Sequence, residues 1–252
     1  MASTIIWLII TAVLPAVLLI VFMNRLDKYR KDVTIIIDVL KCFGVGVLSA
    51  LISAYVEQVF MKIELVPLSC TSTTDCIVSA FVGAALPEEF FKLMAFLCIL
   101  RWMSSYDEYM QGAVYLSSVS LGFAAIENIV YLFTTSTGWL SIAIIRAVLS
   151  IPGHFLFAIF MGYFFSKVRF DFTLENLLGL IFVPVIFHGL FDTLLMISNV
   201  HSDIQIIMYS CVAVLMIIMV FLARKAIVHL QEIDLEEYVI SITPPPAIKK
   251  SI

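Results

Sequence analysis

Residues 204–223 read IQIIMYSCVAVLMIIMVFLA, an apolar run with no charged residue in it. About 20 such residues wound as a helix cross the hydrocarbon core of a bilayer. The run is not alone. Working back toward the N-terminus, comparable runs occupy 174–198, 140–165, 111–133, 76–100, 35–60 and 4–23. Inside lipid every backbone group must be satisfied within the protein, which leaves helices or a closed barrel, and runs of this length are helical. The sequence therefore predicts an all-α fold, a polytopic transmembrane helical bundle of about seven spans. Several runs exceed the minimum length, so tilt or kinks are expected.

Composition agrees. The chain has 252 residues, 62% hydrophobic and 13% charged, with mean hydropathy +1.07. Soluble domains are about half apolar and a quarter charged. The first run is too long for a signal-peptide core and no small-x-small cleavage site follows it, so it reads as a retained helix. No basic cluster interleaved with aromatics points to nucleic acid. The net charge of −4 says little; the placement of the charges says more.

Loop 24–34 carries Arg25, Lys28, Arg30 and Lys31, loop 101–110 carries Arg101, and loop 166–173 carries Lys167 and Arg169. The tail adds Arg224, Lys225, Lys249 and Lys250, whereas the alternate loops hold only Lys62. The positive-inside rule then sets the N-terminus outside and the C-terminus in the cytoplasm. Residues 1–223 form the membrane domain. Residues 224–252 form a cytoplasmic tail, expected to be a short amphipathic helix and then a disordered end with Pro244, Pro245 and Pro246. Cys70 and Cys76 lie just before and at the start of the third span, where an oxidising compartment would allow a disulfide.

Polar residues inside the runs carry the functional signal. The third run contains Pro87-Glu88-Glu89-Phe90-Phe91-Lys92; the fourth, Glu127 and Asn128; the fifth, Arg146 and His154; the sixth, His188 and Asp192. Each ionisable group at mid-bilayer costs about 2.5–3.5 kcal/mol, so such groups face partners or cavities. Counted from the external ends, they fall in one layer from the middle to the outer half, which points to a single site.

Spacing refines the picture. Glu88 and Lys92 are i,i+4 and share a face, while Glu89 should point about 100° away, so the two carboxylates need not compete for the lysine. His188 and Asp192 are also i,i+4, so the acid can orient the imidazole. Pro152-Gly153 should kink the helix beside His154. Asp38 with Lys41 reads as a structural pair, and Glu57, near the end of its span, as merely wetted. Peptide hydrolysis needs a base for water, donors for the oxyanion and an acid for the leaving amine. A buried glutamate beside a lysine, with histidines nearby, can supply them.

The motifs resemble a known family. Pro87-Glu88-Glu89-Phe90-Phe91-Lys92 is similar to the EExxK motif of PrsW-type intramembrane proteases. Phe123 to Glu127 is similar to their FxxxE motif, Arg146 to His154 to their third block, and His188 to Asp192 to their HxxxD motif. All four occur in order within roughly 80–195. The resemblance implies a membrane-embedded peptidase, distantly related to CAAX prenyl endopeptidases and bacteriocin-immunity proteins. It implies a membrane-anchored protein substrate such as an anti-sigma factor, cut in the outer half of the membrane.

By resemblance Glu88 is the candidate base, Glu89 a second candidate, and Glu127 a helper that holds the water. Lys92 would tune the carboxylates, His188 and Asp192 would stabilise the oxyanion, and His154 would line the site; Arg146 and Asn128 are supporting residues. The CAAX enzymes have histidine where this chain has Glu127, so their scheme does not transfer unchanged. No HExxH zinc motif is present, yet His154, His188 and Glu88 could hold a divalent metal, zinc first among candidates. A glutamate mechanism without metal is the leading expectation. A proton- or ion-coupled transporter and a non-catalytic immunity or scaffold protein are the alternative classes.

Overall fold

The computed structural model describes residues 2–27, 34–103, 106–134 and 139–242. Lys28, Arg30 and Lys31 of the first loop lie outside the described residues, as does 243–252 with its prolines, Lys249 and Lys250. Seven helices are described. α1 is Ala2–Leu26 and α2 is Thr34–Lys62. α3 covers residues 73–100 as three joined pieces, Thr73–Val78, Ser79–Ala85 and Leu86–Leu100. α4 is Met110–Thr134, α5 is Trp139–Phe170, α6 is Leu174–Val200 and α7 is Gln205–Ile242.

Six of these are long and apolar enough to cross a membrane. α3 is the seventh expected span; its composition is diluted by Glu88, Glu89 and Lys92, and its winding is not uniform. The chain is a multi-pass membrane protein. Large apolar side chains such as Leu40, Ile206 and Ile217 stand exposed on the outer helix faces. In water these would be association patches; in a bilayer they meet lipid.

α4 is the axis of the bundle. Every residue from Met110 to Ala125 is buried, and the helix packs against α1, α2 and α5. Lipid offers no hydrophobic drive between helices, so close packing must come from small residues. On the α2–α4 crossing, a Cβ on Gly46 would strike the carbonyl oxygen of Val119, and one on Gly122 that of Phe43. On the α4–α5 crossing, Gly112 and Gly162 face each other's backbone in the same way.

α7 does not end near residue 223. It continues to Ile242 and its second half is docked. Gln231 Nε2 donates to the carbonyl oxygen of Leu26 at 2.5 Å, closing the end of α1. His229 Nδ1 lies 2.9 Å from the Tyr163 hydroxyl of α5. Asp234 accepts from the backbone N–H groups of Tyr109 and Met110 at 2.7 and 2.8 Å. These are orphan donors at the start of α4, so Asp234 acts as a cap supplied from another helix.

Candidate active site

Two prolines shape the site. Proline lacks an N–H and its ring crowds the carbonyl four residues back, so a helix must loosen upstream of it. Pro87 follows a π-helical turn at Ser79–Ala85, and Pro152 follows another at Arg146–Ser150. The distortion expected at Pro152-Gly153 thus takes the form of a wide turn just before them. π-turns are frequent at functional sites, and here each one precedes candidate site residues, Glu88 and Glu89 in one case and His154 in the other.

The expected residues converge from four helices. Lys92 Nζ of α3 lies 2.7 Å from Glu89 Oε1, 3.3 Å from Glu88 Oε2 and 3.0 Å from His154 Nδ1. The two carboxylates therefore share the lysine, contrary to the division that simple helical angles suggest: the flexible four-carbon stem reaches both. Lys92 also sits over the Phe123 ring, 4.2 Å from its centroid.

His188 of α6 contacts carboxylates through both ring nitrogens. Nδ1 is 2.8 Å from Glu89 Oε1, and Nε2 is 3.3 Å from Asp192 Oδ2 and 3.9 Å from Glu88 Oε2. Its ring stacks on Phe157, with centroids 4.7 Å apart. Asp192 is within reach of the imidazole, and Glu89 stands closer to it.

His154 of α5 is held just as fully. Its Nε2 lies 2.8 Å from Glu127 Oε2 of α4, and Ser120 donates to its carbonyl oxygen at 2.9 Å. Arg146 pairs with Glu127 at 3.0 Å, donates to Asn128 Oδ1 at 2.6 Å, and stacks on Tyr131 with 3.9 Å to the centroid. It is a bound member of the cluster. Asp38 and Lys41 are the expected pair, 2.8 Å apart.

A cavity of about 650 Å³ opens on this cluster, lined by Glu57, Glu88, Glu127, His154, His188 and Asp192 together with loop 66–70. Glu89 and Lys92 do not line it; they stand behind Glu88, 2% and 1% exposed. Glu57, expected to be merely wetted, is a cavity residue. Its signal was the Ser53/Glu57 i,i+4 pair, joined here by a 2.8 Å hydrogen bond. Cys70 and Cys76 are free thiols.

Glu88, Glu89, His154 and His188 each offer a ligand atom, and these atoms lie within 4.8 Å of one another. Oxygen and imidazole donors in this number suit a divalent transition ion. Glu89 Oε2 is buried with no hydrogen-bond partner among the described residues, an orphan of the kind that a cation satisfies. The donor set fits a metal, although the Lys92 ammonium already contacts three of its members.

Comparison with known proteins gives a consistent answer. The profile of the family described as "PrsW family intramembrane metalloprotease" matches residues 36–223. A protein named "Protease PrsW" from Clostridioides difficile (strain 630) is 32% identical over 207 residues, covering 80% of this chain and 84% of that protein. Its namesake from Oceanobacillus iheyensis is 31% identical, over 84% of this chain and 92% of its own. That from Bacillus subtilis (strain 168) is 27% identical, over 75% and 82% respectively. No solved structure matches the chain. The matched span contains the whole four-helix cluster, and the chain belongs to the PrsW family of intramembrane proteases.

Proposed function

We propose that the protein is an intramembrane endopeptidase that hydrolyses a membrane-anchored protein, with Glu88 as general base. The observation that carries this reading is the division of the two adjacent acids. Glu88 faces the cavity beside His188, while Glu89 is spent behind it on Lys92 and His188. Glu88 takes a proton from a water in the cavity, and the hydroxide adds to the scissile carbonyl carbon. The Nε2 of His188, its ring fixed by Glu89 and Asp192, donates to the oxyanion. As the C–N bond breaks, Glu88 passes its proton to the leaving nitrogen. Glu127 holds the water, itself held by Arg146 and His154. Glu89 and Lys92 are positioning residues.

A second reading rests on the donor set. Glu88, Glu89, His154 and His188 would hold a divalent ion, zinc being suited to such oxygen and nitrogen donors. Bound there, it would supply Lewis-acid polarisation of the carbonyl and a more acidic water. Glu127, outside that set, is then the cavity carboxylate that accepts the proton.

The loop charges support an N-terminus outside and a C-terminus in the cytoplasm. The cavity, lined in part by loop 66–70, then opens in the outer half of the membrane. An anti-sigma factor is the substrate class that the family resemblance implies.

Reconstitution with a single-span peptide in ¹⁸O-labelled water tests the reaction. Wild type should release a fragment carrying ¹⁸O in its new carboxyl group, and Glu88→Gln should release none. Release by Glu88→Gln at the wild-type rate would remove Glu88 from the base role. Loss of activity with a chelator and its recovery with zinc would select the second reading.

A further inference from the structure

Glu57 stands apart from every other acid of the cavity. Glu88 is paired with Lys92, Glu127 with Arg146, and Asp192 with His188. Among the described residues Glu57 makes no salt bridge, and its one hydrogen bond comes from the Ser53 hydroxyl at 2.8 Å. Ser53 is fully buried, so its hydroxyl is committed to holding that carboxylate. An acid inside a membrane-spanning helix is costly and by default serves a partner. The helix offers none, and the carboxylate lines the cavity.

The wall around Glu57 defines the partner's shape. Ala50 and Ala54 share the cavity face of α2 with Glu57, at i, i+4 and i+7. Small residues there leave room for a chain passing toward Glu88. Beyond them Met61, Val66 and Leu68 make an apolar rim. A long aliphatic stem ending in a positive charge suits such a wall, its methylenes on the apolar rim and its head on the acid. The charge of the cavity wall agrees, since Glu57, Glu88, Glu127 and Asp192 line it with Arg146 as the one permanent cation among the described residues. Glu57 is not part of the group of four that could hold a metal.

We propose that Glu57, set by Ser53, is a substrate subsite that takes a lysine or arginine side chain of the membrane-anchored protein. The inference rests on the protease reading for the nature of its ligand, and its test does not use cleavage.

Binding is measured with the full chain in nanodiscs, in the Glu88→Gln background so that no probe is consumed. The probes are single-span peptides of one leucine–alanine host. They carry Lys, Gln or Glu at one position, scanned through the half of the span nearest loop 63–72. At one register the Lys peptide should bind about tenfold more tightly than its Gln counterpart. Glu57→Gln should abolish that preference, and Glu57→Lys should reverse it in favour of the Glu peptide. The reversal is a gain that misfolding cannot mimic. Equal binding of Lys and Gln peptides at every register overturns the proposal. So does a Lys preference that survives Glu57→Gln, an equal weakening of all peptides by Glu57→Gln, or no binding of any Lys peptide. A Lys preference that tracks Glu57 supports the subsite even if wild type cuts nothing. Cutting without the preference keeps the protease reading and removes the subsite.

Discussion

Lys92 and His154 are 62 residues apart in the chain, yet the lysine Nζ lies 3.0 Å from the histidine Nδ1. With its contacts to Glu88, Glu89 and the Phe123 ring, this ammonium joins α3, α4 and α5 at one point. Glu89 extends the link to His188 of α6. The site and the centre of the bundle are thus one structure, and substitutions there should register in stability as well as activity.

Lys92→Met should show this most strongly. It keeps the stem and removes the charge, leaving two buried carboxylates without their shared cation. Removing one partner of a buried pair costs about 3–5 kcal/mol. Thermal unfolding in detergent should move down markedly, and activity should be lost. An unchanged unfolding temperature would show that the lysine is not the central counter-ion.

Glu127 and Arg146 should be coupled. A double-mutant cycle with Glu127→Gln and Arg146→Met should give an interaction of about 1–2 kcal/mol in denaturation experiments. Additive effects would mean that the 3.0 Å pair contributes nothing net. Glu127→Gln can still hydrogen-bond His154, so its activity should fall more than its stability.

Asp234 separates fold from chemistry. Its carboxylate caps α4 from α7, and neither Asp234 nor the Tyr109 and Met110 it caps lines the cavity. Asp234→Ala should cost about 1–2 kcal/mol, as loss of a good cap does, while cleavage per folded molecule stays at the wild-type rate. A specific drop in turnover at full folding would contradict a purely structural role.

Much of this was legible in the sequence, for physical reasons that differ by residue. Glu88, Glu89, Lys92, Glu127, His154, His188 and Asp192 stand out because charge within an apolar run is expensive. Helical spacing gave the Glu88/Lys92 and His188/Asp192 pairs. It failed for Glu89, because a long lysine stem sweeps both faces. Glu57 was hidden by its place near the end of a run, where an acid reads as wetted. The docking of residues 224–242 was hidden too, since Gln231 and Asp234 look like ordinary solvated residues until the helix ends they close are in place.

The glycine crossings are the converse case, small residues whose role only the packing reveals. Gly122→Ala would drive a methyl into the Phe43 carbonyl. Overpacking of this kind costs about 1–3 kcal/mol, and the yield of folded protein should drop. Wild-type stability in Gly122→Ala would mean that α2 and α4 can separate freely.

This cluster is expected to cut proteins within the membrane. The most direct measurement is co-expression of a panel of single-span membrane proteins with wild type or with Glu88→Ala, Glu89→Ala or His188→Ala at equal levels. Wild type should give a specific fragment, Glu88→Ala and His188→Ala none, and Glu89→Ala a sharply reduced amount. The same fragment at wild-type yield from Glu88→Ala and His188→Ala would show that these residues do not carry out the cleavage.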